Sequence, residues 1–161
     1  MPNSITLRDA RRDDLDTLLR LIRALARYEK LEHEVVATPE LLTASLFSEQ
    51  PRAHAVVAEI AGRAIGMAVW FYNFSTFVGR PGIYLEDLFV EPEYRNAGVG
   101  RAMLKALAAR AVREGCGRLE WAVLNWNEPA IGFYERLGSV AMNDWHVRRL
   151  SGESLRALAA A

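Results

Sequence analysis

The chain has 161 residues, no net formal charge and one cysteine, Cys116. This length predicts a single domain over residues 1–161. Balanced charge disfavours a partner held by phosphate charge, such as duplex DNA, and no segment approaches the ~20 apolar residues of a membrane span. A lone cysteine forms no internal disulfide, and no apolar run follows the basic start, so we expect a cytoplasmic protein.

The first third of the chain predicts one strand and two helices. Residues 4–7 are a short strand candidate, and apolar residues recur at helical spacing from Leu15 to Ala26. Thr38 before Pro39 is typical of a helix start, because threonine caps the first turn and proline suits the first helical position. This second helix is expected to end near residue 47.

The rest of the chain alternates strand and helix patterns. HAVVAEI and AIGMAVWFYNF, separated by AGR, predict a hairpin, and IYLEDLFV predicts a strand after a loop at 75–82. RAMLKALAARAVREG predicts a helix ending at Gly115. RLEWAVL predicts a strand, 128–137 a helix capped by Asn127, 145–150 a last strand and 151–161 a terminal helix. This order predicts an α/β (α+β) fold, a mixed sheet with helices on both faces.

A glycine turn, RNAGVG, lies between a predicted strand and a predicted helix. Glycines allow close backbone approach, and the free N–H groups of a first helical turn form an anion site. Arg95 and Arg101 add positive charge, so a pyrophosphate-bearing cofactor is the predicted ligand. On spacing alone, a plain strand-to-helix turn explains the pattern equally well, because Met103 stands where a dinucleotide fingerprint needs glycine.

The wider context resembles a known family. R-x-x-G-x-G after an acidic strand and an EPEYR turn resembles the acetyl-CoA signature of the GNAT superfamily of N-acetyltransferases, and NWNEPAIGFYERLG resembles its second cofactor-side motif. YLEDLFV, YEKLE and WHVRRLSGESLRALA are similar to the diamine (spermidine/spermine) and thialysine acetyltransferase branch. The resemblance implies acetyl-CoA as acetyl donor, no metal, a mostly antiparallel sheet splayed at a central parallel strand pair, and a homodimer.

The resemblance also implies a cofactor site along this strand and turn. The pantetheine arm would pair with strand backbone, and a backbone N–H near Leu88 would stabilise the oxyanion of a tetrahedral intermediate. The turn would enclose the pyrophosphate. The implied cofactor-binding residues are Leu88, Phe89, Val90, Arg95, Asn96, Ala97, Gly98, Val99, Gly100, Arg101, Asn127 and Tyr134.

Catalytic and substrate-binding residues are implied at five positions. Tyr134 matches the general acid that protonates the leaving thiolate, although a tyrosine packed in a core explains it too. Glu86 matches the substrate-side carboxylate, as base or amine anchor. Strand alternation puts Asp87 on the opposite face, where it binds substrate or pairs with an arginine. Tyr28 and Glu29 match the amine pocket, and an exposed helix end is the alternative.

These residues predict an acetyl-CoA-dependent N-acetyltransferase acting on a primary amine of a small molecule, by direct transfer in a ternary complex. GSVAMNDW carries only Asp144 before Trp145, where polyamine enzymes of this branch have further acidic residues. A diamine or a thialysine-like amino acid therefore fits at least as well as a polyamine. Two alternatives stay open, namely acetylation of a peptide or protein N-terminus or lysine, and a non-catalytic acyl-CoA-binding domain.

Overall fold

The computed structural model describes residues 4–161, which divide into two compact units, one ending at Ala122 and the other comprising Val123–Ala161. The elements of the first unit are β1 (Ile5–Asp9), α1 (Leu15–Tyr28), α2 (Pro39–Leu46), β2 (His54–Ile60), β3 (Arg63–Ser75), β4 (Arg80–Val90), α3 (Val99–Arg113) and β5 (Leu119–Trp121). The second unit contains α4 (Glu128–Glu135) and α5 (Gly152–Ala160). The expectation of a single domain over residues 1–161 stays a prediction.

The strands of the first unit form one mixed sheet. Its five strands lie in the order β1-β2-β3-β4-β5, and each neighbouring pair is antiparallel except β4 and β5, which are parallel. The β2–β3 hairpin turns at Ala61 and Gly62, both with left-handed backbone. The predicted mixed, mostly antiparallel sheet with one parallel pair is confirmed.

Helices cover both faces of this sheet. On one face, Leu18, Leu21 and Leu25 of α1 pack into a cluster that includes Met67 of β3. The neighbouring residue of β3, Gly66, must face the other way, and there a Cβ would lie 3.4 Å from Met103 Cε of α3. Each buried leucine contributes about 1.5–3 kcal/mol by leaving water. We call the two sides the α1 face and the α3 face.

Two predicted helix ends are confirmed by their hydrogen bonds. Thr38 Oγ1 accepts a hydrogen bond from the Leu41 N–H at 3.3 Å, so the threonine caps α2. Gly115 has φ of 71°, and the Cys116 N–H donates to the Ala111 carbonyl at 2.8 Å. This is the arrangement in which a left-handed glycine ends a helix, as expected for α3.

Of the predicted strands, one is shorter than expected and another does not form. RLEWAVL forms a strand only over Leu119–Trp121, and residues 145–150 form none. Apolar residues at 145 and 147 indicate an extended chain, but a strand exists only where a neighbouring backbone accepts its hydrogen bonds. Instead, every residue from Val140 onward is exposed. In the opposite direction, β4 begins at Arg80, inside the loop expected over 75–82, because Gly79 with φ of 68° completes the turn early.

Candidate active site

A β-bulge at Glu86 organises the middle of β4. Leu85 pairs with Trp70 and Asp87 pairs with Val69, so the intervening Glu86 is an extra residue with no partner on β3. A bulge bends and twists its strand and is common beside active sites. The site therefore begins at a break in the regular sheet.

The same position is where β4 and β5 part. Their parallel ladder runs from Ile83–Leu119 to Leu85–Trp121 and ends there, although β4 continues to Val90. Of the three predicted backbone-binding residues, Phe89 turns its ring into the cluster below α1, and Leu88, opposite Ala68, faces the α3 side. The edge of β4 from Glu86 to Val90 is thus free of β5, and the predicted splay of the parallel pair is confirmed.

The bulge interrupts the strand alternation from which Glu86 and Asp87 were predicted to point to opposite faces. Asp87 lies opposite Val69, which packs against the α1 cluster, so Asp87 is on the α1 face. Tyr84 is on that face too, and Glu86 acts electrostatically on both Tyr84 and Asp87. Simple alternation fails because one inserted residue resets the period of the strand.

A third carboxylate joins this pair. Glu29 follows the last residue of α1, and burial raises its pKa above the usual range. Burial, together with the negative charges of Glu86 and Glu29, raises the pKa of Asp87 to about 6. Three acidic side chains that were predicted to face substrate are therefore close enough to interact, although they come from two separate elements. One of them, Asp87, has a pKa near neutral pH.

Tyr28 and Arg95 also meet, although one was predicted for the amine and the other for the cofactor. The Arg95 guanidinium carbon lies 4.6 Å from the centre of the Tyr28 ring and 5.7 Å from that of Phe89. Arg95 Nε also donates to the Val90 carbonyl at 3.1 Å. A cation over aromatic rings at this distance is a favourable contact. It joins the end of α1 to the glycine turn.

The turn itself has the backbone that an anion site needs. Asn96 has φ of 65° and Gly98 has φ of 84°, and α3 begins at the next residue, Val99. Gly98 and Ala97 are exposed, whereas Val99 is buried and anchors the helix. The first turn of α3 contains no acidic residue, and its N–H groups have no partners within the helix. Gly100 and Arg101 lie in that turn, so α3 begins two residues before the predicted helix start at Arg101.

Sequence analysis missed one side chain of this region, Glu91. It is buried, and its carboxylate accepts hydrogen bonds from Arg20 of α1 and from Arg63 of β3. Both partners are distant in sequence, so no local pattern signals them. Only the position of Glu91, directly after a buried strand and before Pro92, hinted at a turn.

The second unit holds the remaining predicted residues. Asn127 is buried, and its Oδ1 accepts a hydrogen bond from the Ala130 N–H at 3.4 Å, which confirms the predicted cap of α4. Tyr134 is half-buried on the same helix, with its ring centre 5.3 Å from that of Phe133. Its assignment as general acid stays a prediction.

None of the helices within residues 4–161 has the length and apolar character needed to span a bilayer. Over the same residues, no three His, Cys, Asp or Glu side chains gather as a metal ion would require.

The splayed parallel pair, the left-handed turn and the helix after it are features of one enzyme class. The model of the Acetyltransferase (GNAT) family matches residues 16–139, and the chain belongs to that family of N-acetyltransferases. Enzymes of this family use acetyl-CoA as their acetyl donor.

Relatives narrow the class to the predicted branch. The chain is 40% identical over 166 residues to a thialysine N-epsilon-acetyltransferase of Bos taurus, covering 96% of this chain and 97% of the relative. The corresponding enzyme of Sus scrofa is 39% identical over 167 residues, covering 97% and 98%. A solved structure of an integron cassette protein from V. cholerae superposes with a TM-score of 0.81 at 25% identity, covering 98% of this chain and 99% of that one.

Proposed function

We propose that this chain transfers an acetyl group from acetyl-CoA directly to a primary amine of a small molecule, in a ternary complex. One observation carries the proposal: the bulge at Glu86 lies where the pairing of β4 with β5 ends, and it puts Asp87 on the α1 face, within electrostatic reach of Glu86 and Glu29. A free strand edge suits the amide-bearing pantetheine arm. The carboxylates beside it suit an amine, which is cationic at neutral pH.

The residues present fit acetyl-CoA. The backbone of Leu88, Phe89 and Val90 offers hydrogen bonds along the open edge of β4. The exposed turn through Asn96 and Gly98 follows these residues in the chain. Its N–H groups and the positive end of the α3 dipole would bind the diphosphate of acetyl-CoA. When bound, acetyl-CoA supplies an activated acetyl carbonyl for attack by the amine.

The acidic residues of the α1 face act on the amine. Glu29, Glu86 and Asp87 hold the ammonium group, and a carboxylate takes its proton, directly or through water, so that the nitrogen lone pair is free. Glu86 remains our choice for this role, with Asp87 beside it as a substrate-binding group. Asp87 is largely ionised above pH 6 and shares the task of binding the cation.

The remaining steps concern charge and the leaving group. Backbone N–H groups near Leu88 stabilise the negative charge that develops on the carbonyl oxygen. With acetyl-CoA bound, the Tyr134 hydroxyl would give its proton to the sulfur as the nitrogen–carbon bond forms and the carbon–sulfur bond breaks. Each proton would therefore have a source or an acceptor in this chain.

The substrate we propose is a diamine, a polyamine or a thialysine-like amino acid. Both mammalian relatives are named thialysine N-epsilon-acetyltransferases, and Asp87 lies within electrostatic reach of two further carboxylates, Glu86 and Glu29. A cytoplasmic homodimer is part of the proposal. Light scattering tests the dimer, because a mass near 18.0 kDa would indicate a monomer.

An amine panel tests the proposed function. Purified protein receives acetyl-CoA with putrescine, spermidine, spermine, thialysine, lysine or a lysine peptide, and thiol release is followed. Turnover on one free amine, but not on the peptide, is the expected result. Turnover on the peptide alone would favour a protein acetyltransferase, and binding of acetyl-CoA without any turnover would favour an acyl-CoA-binding domain.

A further inference from the structure

The carboxylate of Glu91 is the most enclosed acidic group near the glycine turn. The residue is 6% exposed, its Oε1 accepts from Arg20 Nη1, and its Oε2 accepts from Arg63 Nη2 at 2.9 Å. Its backbone is engaged as well. The N–H donates to the Ile65 carbonyl at 2.9 Å, and the carbonyl accepts from the Tyr94 N–H at 2.9 Å.

The two arginines fasten this carboxylate to different elements. Arg20 projects from α1 and also donates to the Ala64 carbonyl at 3.2 Å. Arg63 is the first residue of β3, and its guanidinium lies 5.8 Å from the centre of the Tyr94 ring, directly before the glycine turn. Glu91 therefore ties together a helix, a hairpin and the residues that lead into the glycine turn.

The turn that follows needs such an anchor. Asn96 adopts a left-handed backbone, which is uncommon outside glycine although asparagine tolerates it better than most residues. Most residues from 92 to 98 are exposed, so packing holds the turn weakly. The buried Val99 fixes this segment at its C-terminal end, and the buried Glu91 fixes it where it leaves β4.

We propose that Glu91 is a positioning residue for the acetyl-CoA site, holding the glycine turn in the conformation that binds the diphosphate. This inference rests on the proposed function, because it assumes that the turn binds acetyl-CoA. Glu91 itself does not touch the ligand. It acts through the backbone between Pro92 and Gly98.

The positioning role and a simple change of charge predict opposite effects of a Glu91 substitution on the affinity for CoA. Replacing Glu91 with glutamine removes a negative charge beside two arginines, and the extra positive charge would attract a diphosphate. The positioning role predicts weaker binding, because a neutral amide holds the two guanidinium groups less well and the turn loses its fixed start. The sign of the change in affinity distinguishes the two effects.

Calorimetry on Glu91→Gln and on a matched control measures that sign. Glu59 is a suitable control: its side chain is 19% exposed, and its Oε1 accepts two hydrogen bonds from Arg8, at 2.6 and 3.0 Å, on the β1–β2 edge. We expect Glu91→Gln to raise the Kd of CoA about fivefold or more, since small misplacements of binding groups are costly. We expect Glu59→Gln to change the Kd less than about twofold, although both lose thermal stability.

Two additional readouts separate positioning from general damage. Dephospho-CoA keeps the diphosphate, so its Kd should rise by the same factor as that of CoA. In turnover assays, KM for acetyl-CoA should rise while kcat at saturating acetyl-CoA stays within about twofold of wild type. Should Glu91→Gln not fold, Arg63→Lys replaces it, because that side chain is 61% exposed and lysine keeps the charge but lacks the planar guanidinium. Electrostatics alone then predicts no change in the Kd of CoA, whereas the positioning role predicts an increase of about two- to threefold.

Each result has one meaning. An unchanged or lower Kd in Glu91→Gln, or equal increases in Glu91→Gln and Glu59→Gln, overturns the positioning role and leaves the proposed function intact. A wild-type protein that does not bind CoA overturns the proposed function instead.

Discussion

The sheet-bearing unit that ends at Ala122 and the unit formed by Val123–Ala161 bury their apolar side chains to very different extents. Every buried hydrophobic residue of the described chain lies between Leu18 and Ala111. In the second unit Asn127 is buried, but the large apolar side chains from Val140 onward are exposed, including Trp145 at 74%. Both units contain amphipathic helices, but only the first unit provides an apolar surface against which such a helix can pack.

The two helices α1 and α5 show what this difference means. Leu21 of α1 is completely buried, whereas Leu155 of α5 is 53% exposed. Helix stability in proteins comes mainly from packing an apolar face. The first unit therefore buries the apolar face of its helix, and the second carries apolar side chains that its own contacts do not cover.

The largest effect is expected from a substitution that tests whether the poorly packed second unit contains a catalytic residue. Tyr134→Phe keeps the ring and removes only the hydroxyl, so kcat should fall about 100- to 1000-fold if that hydroxyl protonates the leaving thiolate. Acetyl-CoA affinity, measured by calorimetry, should stay within about twofold. A fall in affinity with kcat preserved would argue that Tyr134 is a packing residue.

A pair of leucine substitutions measures the packing difference directly. Leu21→Ala should lower the free energy of unfolding by about 2–5 kcal/mol, because it leaves a cavity in the core cluster. Leu155→Ala should lower it by less than about 0.5 kcal/mol, as expected for an exposed site. Urea unfolding at two protein concentrations is the measurement. A large, concentration-dependent effect of Leu155→Ala would show that α5 is buried in an assembly.

Asp87 links stability and activity within the first unit. Its pKa of about 6 lies above the value of an unfolded aspartate, so the folded state binds the proton more tightly. Ionisation of Asp87 therefore costs stability as pH rises from about 4 to 6. Asp87→Asn cannot ionise and should exceed wild type in unfolding free energy at pH 7.5 by about 1–3 kcal/mol, with little difference at pH 4.

The same substitution should reduce activity. We expect kcat/KM for the amine to fall about 10- to 100-fold in Asp87→Asn, because the ammonium group loses a charged partner. In wild type, kcat/KM should rise with pH through about 6. Asp13→Asn, at an exposed site, serves as the control and should change neither quantity appreciably. Gain of stability without loss of activity would remove Asp87 from the amine site.

Local patterns predicted the elements that local forces decide. The hairpin of β2 and β3, the cap at Thr38 and the glycine turn each depend on neighbouring residues, and each was found. The bulge beside Asp87 was missed because a bulge is a property of two paired strands. Glu91 was missed because its partners Arg20 and Arg63 lie 71 and 28 residues away. The prediction of a strand over 145–150 was wrong because a strand requires hydrogen bonds with the backbone of a neighbouring strand.

The smallest expected effect concerns the glycine turn, where backbone conformation alone is at issue. Gly98 has φ of 84°, and a Cβ added there meets no atom within 4 Å. Gly98→Ala therefore costs about 1–2 kcal/mol of backbone strain without a clash. Because α3 begins directly after Gly98, we expect the Kd of CoA to rise by about three- to tenfold.

Gly62 is the matched control for this substitution. It turns the β2–β3 hairpin with φ of 78°, and there too a Cβ meets nothing within 4 Å, so Gly62→Ala imposes the same strain elsewhere in the unit. Both variants should lose similar unfolding free energy in urea titrations, but only Gly98→Ala should weaken CoA binding. Equal affinities in the two variants would mean that the turn tolerates a changed backbone, and the diphosphate would then have to be held by the side chains of Arg95 and Arg101.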